Sequence, residues 1–254
     1  MGRHTAMTFS VCIEIAAGGT CMAHVMELPG CAVRAETREL ALSALPPAVR
    51  EHLDWLTLHG EEVDGAADSL ELAIVAEHMG TGPFNPGDAA ALFPQDLAPI
   101  ARAEMERFFS LLASSRSDLL ASVCHVPDDL LDCASGPDTF SICRILRHVG
   151  NAEEWYVSRI VPPDRLPAEW KDDEALPIFG FLAMERRTVL EQLRGLDEVQ
   201  RSSVFYPVVW TDHPEEGWTA RKVLRRFVEH EREHTRQIEA LLASIGVPRS
   251  LASH

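Results

Sequence analysis

Two histidines four residues apart, His230 and His234, stand in the stretch Val228-Glu229-His230-Glu231-Arg232-Glu233-His234-Thr235. In a helix they lie one turn apart on one face. With Val223, Phe227, Ile238, Leu241, Leu242 and Ile245 as the apolar stripe of that helix, both imidazoles fall inside it. Imidazoles in an apolar stripe need partners. Two readings meet the need: a divalent metal held by neutral rings, or hydrogen bonds to other core side chains. The same letters match the H-E-x-x-H pattern of zinc metalloproteases, with Glu231 in the general-base place. Such proteases take their third ligand from downstream, where His254 is the only further histidine here. A third ligand is therefore expected upstream. For Glu231, a role beside the ligands, either supporting them or as an acid/base group, competes with a place on a solvated face.

The elements that must position these residues can be read from periodicity and punctuation. The last helix is expected from Trp218-Thr219 to Ile245, ended by Gly246 and Pro248. Three more helical patterns precede it: Pro94 to Cys124, Asp138 or Thr139 to Ile160, and Asp173 to Leu196. Four amphipathic helices of this length imply a four-helix bundle. The second helix carries one histidine, His148, three residues after Ile145 and four before Ala152, close to its apolar stripe. Two ligands from one helix and one from a facing helix suit a metal site inside a bundle. Three imidazoles leave positions open for water or substrate, the arrangement of a catalytic site. His4, His24, His52, His59, His78, His125 and His213 show no such alignment and read as surface or linker residues. His213, in the aromatic loop 197–217, is also a second-sphere candidate. Trp155, Tyr206, Trp210 and Trp218 are expected either in the core or lining an apolar substrate pocket.

The N-terminal part reads differently. Residues 8–15 alternate Phe9, Val11, Ile13 and Ile15 with smaller or polar residues, the pattern of a half-buried strand. Ala17-Gly18-Gly19 is a turn, and 20–28, 31–35 and 70–77 are expected as further strands. Thr37 is expected to cap a helix running to about Leu58, with Pro46-Pro47 kinking or splitting it. Residues 79–96 hold three glycines and three prolines, a linker composition. The fold class is thus an α+β N-terminal domain followed by an all-α four-helix bundle, predominantly helical overall. The expected division is 1–80, a linker at 81–96, and 97–254.

The formal charge is −16, and residues 1–95 carry 4 Lys/Arg against 13 Asp/Glu. A surface this acidic repels phosphate backbones, so direct nucleic-acid binding is not expected. No apolar run is long enough for a membrane span, and no secretion signal is seen. The six cysteines (Cys12, Cys21, Cys31, Cys124, Cys133, Cys143) form no C-x-x-C and read as reduced thiols of a cytoplasmic protein.

Two resemblances attach to particular residues. Strand–strand–strand–helix–strand over residues 8–78, with Leu28-Pro29-Gly30-Cys31 after the second strand and Thr37 to Leu42 opening the helix, resembles the HicB-like antitoxin domain. That implies a fold and a surface for pairing with a protein partner. No basic tail follows, so the DNA-binding extension of some members is not expected. Arg144 to Tyr156, Gly217 to Leu224 and His230 to Ile238 resemble the DinB family, over about residues 97–246. The DinB resemblance implies a four-helix bundle with a three-histidine divalent metal site, carried here by His148, His230 and His234, and homodimers are common. Its relatives include metal-dependent transferases that use low-molecular-weight thiols such as mycothiol or bacillithiol.

Three functional readings follow. The leading one is a metal-dependent thiol S-transferase, or related chemistry in which zinc or nickel activates a thiol or water against a small-molecule substrate. The second is a binding module in which the HicB-like domain holds a partner protein and the metal only steadies the bundle. The third, a zinc protease, lacks its downstream ligand.

Overall fold

The computed structural model describes residues 7–63, 70–80, 82, 84, 91–132, 140–171 and 173–247, with the backbone alone at Glu174. The expected N-cap at Asp138 or Thr139, Cys133, His4 and His254 lie outside these residues. The chain divides into two compact units, 1–98 with 211–217, and 99–210 with 218–254.

In the first unit, β1 (Met7–Ile15), β2 (Cys21–Val25), β3 (Ala32–Ala35) and β4 (Leu70–Met79) form one sheet in the order β3-β2-β1-β4. β1–β2 and β2–β3 are antiparallel, with Val11 opposite Val25 and Ala23 opposite Val33. β4 lies parallel to β1, so it is reached by a crossover, here through α1 (Arg38–Leu58). The Thr37 side chain caps α1 by accepting from Leu40 N. Pro46 and Pro47, expected to kink or split this helix, do not split it. Its buried residues, Ala41, Leu45, Val49, His52 and Leu56, recur every three or four positions on both sides of the prolines. One continuous stripe packs on β2 and β3, and tertiary packing outweighs the lost hydrogen bonds.

β1 is not half-buried. Cys12 and Glu14 are as inaccessible as Val11 and Ile13, which point to the opposite face. Residues 91–96, assigned to the linker by composition, explain the second covered face. Ala91 and Phe93 pack with Cys12, and Cys12 Sγ donates to Gln95 Oε1 at 3.4 Å. On this face His24 and Glu14, both buried, bring Nε2 and Oε1 to 3.3 Å. His24 and His52 are therefore core residues, not the surface residues expected.

The second unit is built from α2 (Arg102–Val123), α4 (Ile142–Val157), α5 (Ile178–Arg194) and α7 (Ala220–Ser244), with short helices α3 (Asp128–Leu131) and α6 (Glu198–Ser202) between them. Pro94–Leu97 is a separate 3₁₀ turn, not the start of α2. Ser141 caps α4 and Thr219 caps α7, accepting from Arg144 N and Lys222 N. At the other end of α7, Gly246 at φ +77° donates to Ala243 O while Val247 N donates to Leu242 O. That is a Schellman ending, which needs the left-handed residue glycine supplies.

The four long helices share one core: Leu119 and Val123 from α2, Ile145, Leu146 and Val149 from α4, Phe181 and Leu182 from α5, Ile238 and Leu242 from α7. Ile245, expected in the stripe, is 42% exposed. Gly150 sets the approach of α4 to α5, since a Cβ there would stand 2.2 Å from Phe181 Cε1. Five of the six cysteines are described, and all five are free thiols. Among the described residues no helix is long and apolar enough to cross a membrane.

Candidate metal centre

α4 and α7 pack side by side, and the three expected ligands meet between them. His230 Nε2 lies 3.1 Å from His148 Nε2 and 3.1 Å from His234 Nε2. The rings meet edge to face, with centroids 4.4–4.9 Å apart. Two nitrogens each about 2.05 Å from one ion at a tetrahedral angle would be about 3.3 Å apart. The observed spacing therefore fits nitrogens converging on one point, and three imidazoles are a borderline-soft donor set suited to a divalent transition ion.

The rings are not sealed in the apolar stripe as the sequence pattern implied. His230 and His234 are half-buried and His148 is exposed, so the site opens to solvent. Even so, burial of the rest of its ring, with His234 beside it, pushes the His148 imidazole down to about 4. It is neutral, as a ligand must be, near pH 7. His234 Nδ1 lies 2.7 Å from Gln237 Oε1. Nδ1–H donating to that oxygen leaves the Nε2 lone pair facing His230, the usual way a neighbouring group fixes the tautomer of a ligand. Gln237 lies in the stretch that carries the family resemblance, but the sequence reading gave it no role. Its signal was its place three residues, one helical turn, after a ligand. The ring of buried Tyr156 stands edge-on to His230 with centroids 5.9 Å apart, and it also packs on Phe227.

Glu231 does not lie on a solvated face. It is 2% exposed and sits in a ring of four charges, one from each long helix. Arg116 of α2 donates to Glu231 of α7 and Glu153 of α4. Arg186 of α5 donates to Glu153 at 2.6 and 3.0 Å and to Glu231 at 3.0 Å. The other guanidinium nitrogens reach Leu182 O and Leu112 O. Burial works against the charged form of Glu231, but Arg116 and Arg186 outweigh it and hold its carboxyl below the ordinary value. A carboxylate so held is neither a solvated residue nor a free base. The reason is angular: the residue after a ligand points about 100° away around the helix. Glu233, half-buried, is instead the carboxylate whose charge acts on His148.

Of the remaining candidates, Trp155 stands edge-on to Trp218 with centroids 5.4 Å apart, and Trp218 in turn packs on Tyr156. Trp218 is fully buried, Trp155 is half-buried and donates from Nε1 to Trp210 O, and Tyr206 and Trp210 are exposed. His213 lies in the segment 211–217 with Nδ1 3.3 Å from Glu215 Oε1, and His125 is exposed. An apolar cavity of about 550 Å³ between α2 and α5 is lined by Leu120, Cys124, Phe179 and Leu182, with Arg116 and Arg186 on one wall. The histidines do not line it.

A family model described as the DinB superfamily matches residues 111–238, half of the chain, including all three histidines. The chain belongs to the DinB superfamily. The match starts well after residue 78, so nothing supports the HicB-like reading of residues 8–78. Among solved structures, the chain is similar to YfiT from Bacillus subtilis at 18% identity and a TM-score of 0.44, over 66% of this chain and 96% of that one. YfiT is described as a probable metal-dependent hydrolase with an unusual four-helix bundle topology. No curated protein matches.

Proposed function

We propose that this DinB protein is a metal-dependent enzyme in which His148, His230 and His234 hold one divalent ion, zinc or nickel, and a water or low-molecular-weight thiol attacks a small-molecule electrophile. The convergence of the three Nε2 atoms at an opening to solvent carries this reading. When bound there, a divalent ion supplies Lewis acidity that lowers the pKa of a water or thiol at an open position. Three neutral ligands leave the ion its full charge for that purpose. The protein's part is to present the ligands in fixed orientation. Gln237 holds the tautomer of His234, Tyr156 backs His230, and packing of α4 on α5 around Gly150 places His148.

Elemental analysis of protein purified without chelator should find about one zinc or nickel ion per chain. His148→Ala and His230→Ala should each lose most of it, while His125→Ala and His213→Ala keep it. Loaded protein should then consume an activated electrophile in water alone, for a hydrolase, or only with added thiol, for a transferase. Metal retained in His148→Ala but not in His230→Ala would show the ligand set to be wrong. A full complement of metal with no turnover by either nucleophile would refute the enzymatic reading.

A further inference from the structure

A second group of ligand-type side chains lies on another face of α4. Glu154 is six residues beyond His148, about 120° away around the helix. It meets Glu185 of α5 and Asp173 of the 3₁₀ turn Asp173–Ala175, and each offers a carboxylate oxygen within 4.8 Å of the other two. We propose that Glu154, Asp173 and Glu185 form a cation site, separate from the histidines, that takes a hard divalent ion such as Mg²⁺, Mn²⁺ or Ca²⁺.

Acidic side chains gather on many surfaces without binding anything, so Glu185 decides the matter. It has no exposed surface, and apart from the other acids of the cluster neither of its carboxylate oxygens has a hydrogen-bond partner among the described residues. Glu154 Oε1 is likewise buried and unpartnered. A buried carboxylate with no cation or donor to satisfy it is costly. The cations that could have satisfied it are directed elsewhere. Arg186, next in the chain, belongs to the four-charge ring. Arg147 donates to the carbonyls of Asp173 and Leu176 and lies over the Phe181 ring. The groups acting most strongly on Glu154 and Glu185 are burial and one another, with Asp173 and Glu153 adding further negative charge. Without a cation, protons must fill the role, and both glutamates are pushed up, Glu154 to about 8 and Glu185 to about 10.

The donor set selects the ion. Hard cations take oxygens at about 2.0–2.6 Å, so two ligands of one ion stand at most about 5 Å apart, which the cluster satisfies. Carboxylates alone, with no nitrogen or sulfur, suit Mg²⁺, Mn²⁺ or Ca²⁺ better than the ion the imidazoles favour. An ion there would tie α4 to α5 behind the face that carries His148.

The full chain, stripped with chelator and dialysed, is titrated calorimetrically with Ca²⁺ and with Mn²⁺. His230→Ala, Glu154→Gln and Glu185→Gln are titrated in parallel after circular dichroism confirms helix content. Wild type and His230→Ala should each take up one Ca²⁺ and, at this site, one Mn²⁺ with the same affinity. Each glutamine variant should lose at least tenfold in affinity while still binding Zn²⁺ as wild type does. No uptake of either ion by folded wild type at millimolar concentration overturns the proposal. So does uptake lost in His230→Ala, which would assign the ion to the histidines, or uptake unchanged in both glutamine variants. If one glutamine variant fails to fold, the other, with the wild-type and His230→Ala titrations, still decides.

Discussion

Replacing Arg116 with Met tests whether the buried ring of Arg116, Glu153, Arg186 and Glu231 holds the bundle together. The ring carries two positive and two negative charges, all on side chains at most 11% exposed. Methionine fills similar apolar volume but removes the donors to Glu231, Glu153 and Leu182 O. Glu153 keeps two bonds from Arg186 and Glu231 keeps one, and the ring is left with one uncompensated buried negative charge. Breaking a buried pair on one side costs about 3–5 kcal/mol. For a unit of this size that lowers the melting temperature by roughly 6–20 °C. Adding Glu231→Gln restores neutrality, so the double variant should be more stable than the sum of the single effects by at least about 1 kcal/mol. Urea unfolding followed by tryptophan emission suits the measurement, because Trp155, Trp170, Trp210 and Trp218 lie in the bundle unit and only Trp55 lies outside it. A loss below about 1 kcal/mol in Arg116→Met, or strict additivity in the double variant, would refute the reasoning. Metal content should not follow stability in this series, since none of the four residues is a ligand.

Gln237→Ala should weaken metal binding by about 10–100-fold, without changing helix content, because it frees the tautomer of His234; competition with a chromophoric chelator measures this. Gly150→Ala should destabilise the bundle by at least about 1–3 kcal/mol in thermal unfolding, because the new methyl would meet the buried Phe181 ring. In chelated, ion-free protein, stability should fall as pH rises from about 5 towards 8. Glu154 and Glu185 are raised above their ordinary value of 4.5, so the folded state holds protons that the unfolded state has released. The stability present below pH 4.5 is lost as pH climbs through the folded values, and Glu185→Gln should flatten the slope; a wild-type melting profile flat over this range would contradict the assignment.

The sequence was most legible where one helix's spacing decided the matter. The i, i+4 pair His230 and His234, with His148 alone on its helix, identified the residues that come together, and Thr37 and Thr219 announced their helices by type and position. What escaped the reading depended on neighbours far away in the chain. Arg116 and Glu231 are 115 residues apart. Each looked like an ordinary polar residue on an amphipathic helix, and periodicity has no means of matching charges across four helices. α7 defeated the two-face picture outright: Arg225, Arg226, Glu229, Glu231 and Arg232 are all buried. Arg225 and Arg226 pair with Glu229, so the charges compensate one another once α2 and α4 close over the helix. Composition misled at 91–96 because the end of a Gly/Pro-rich segment can still bury Phe93. It misled at Pro46-Pro47 because helix breakers act on isolated helices more strongly than on packed ones.

The parallel pairing of β1 with β4 has a consequence for how the chain comes off the ribosome. β1 finds β2 at once through a short turn, but its other edge waits for residues 63 positions further on, since Thr8 lies beside Glu71. Until Met79 has emerged, the strand Phe9 to Ile13 shows an unpaired apolar edge, the kind of surface that recruits other chains. Closing that edge requires the crossover through α1, and a pause in synthesis before Leu70 would leave it open longest.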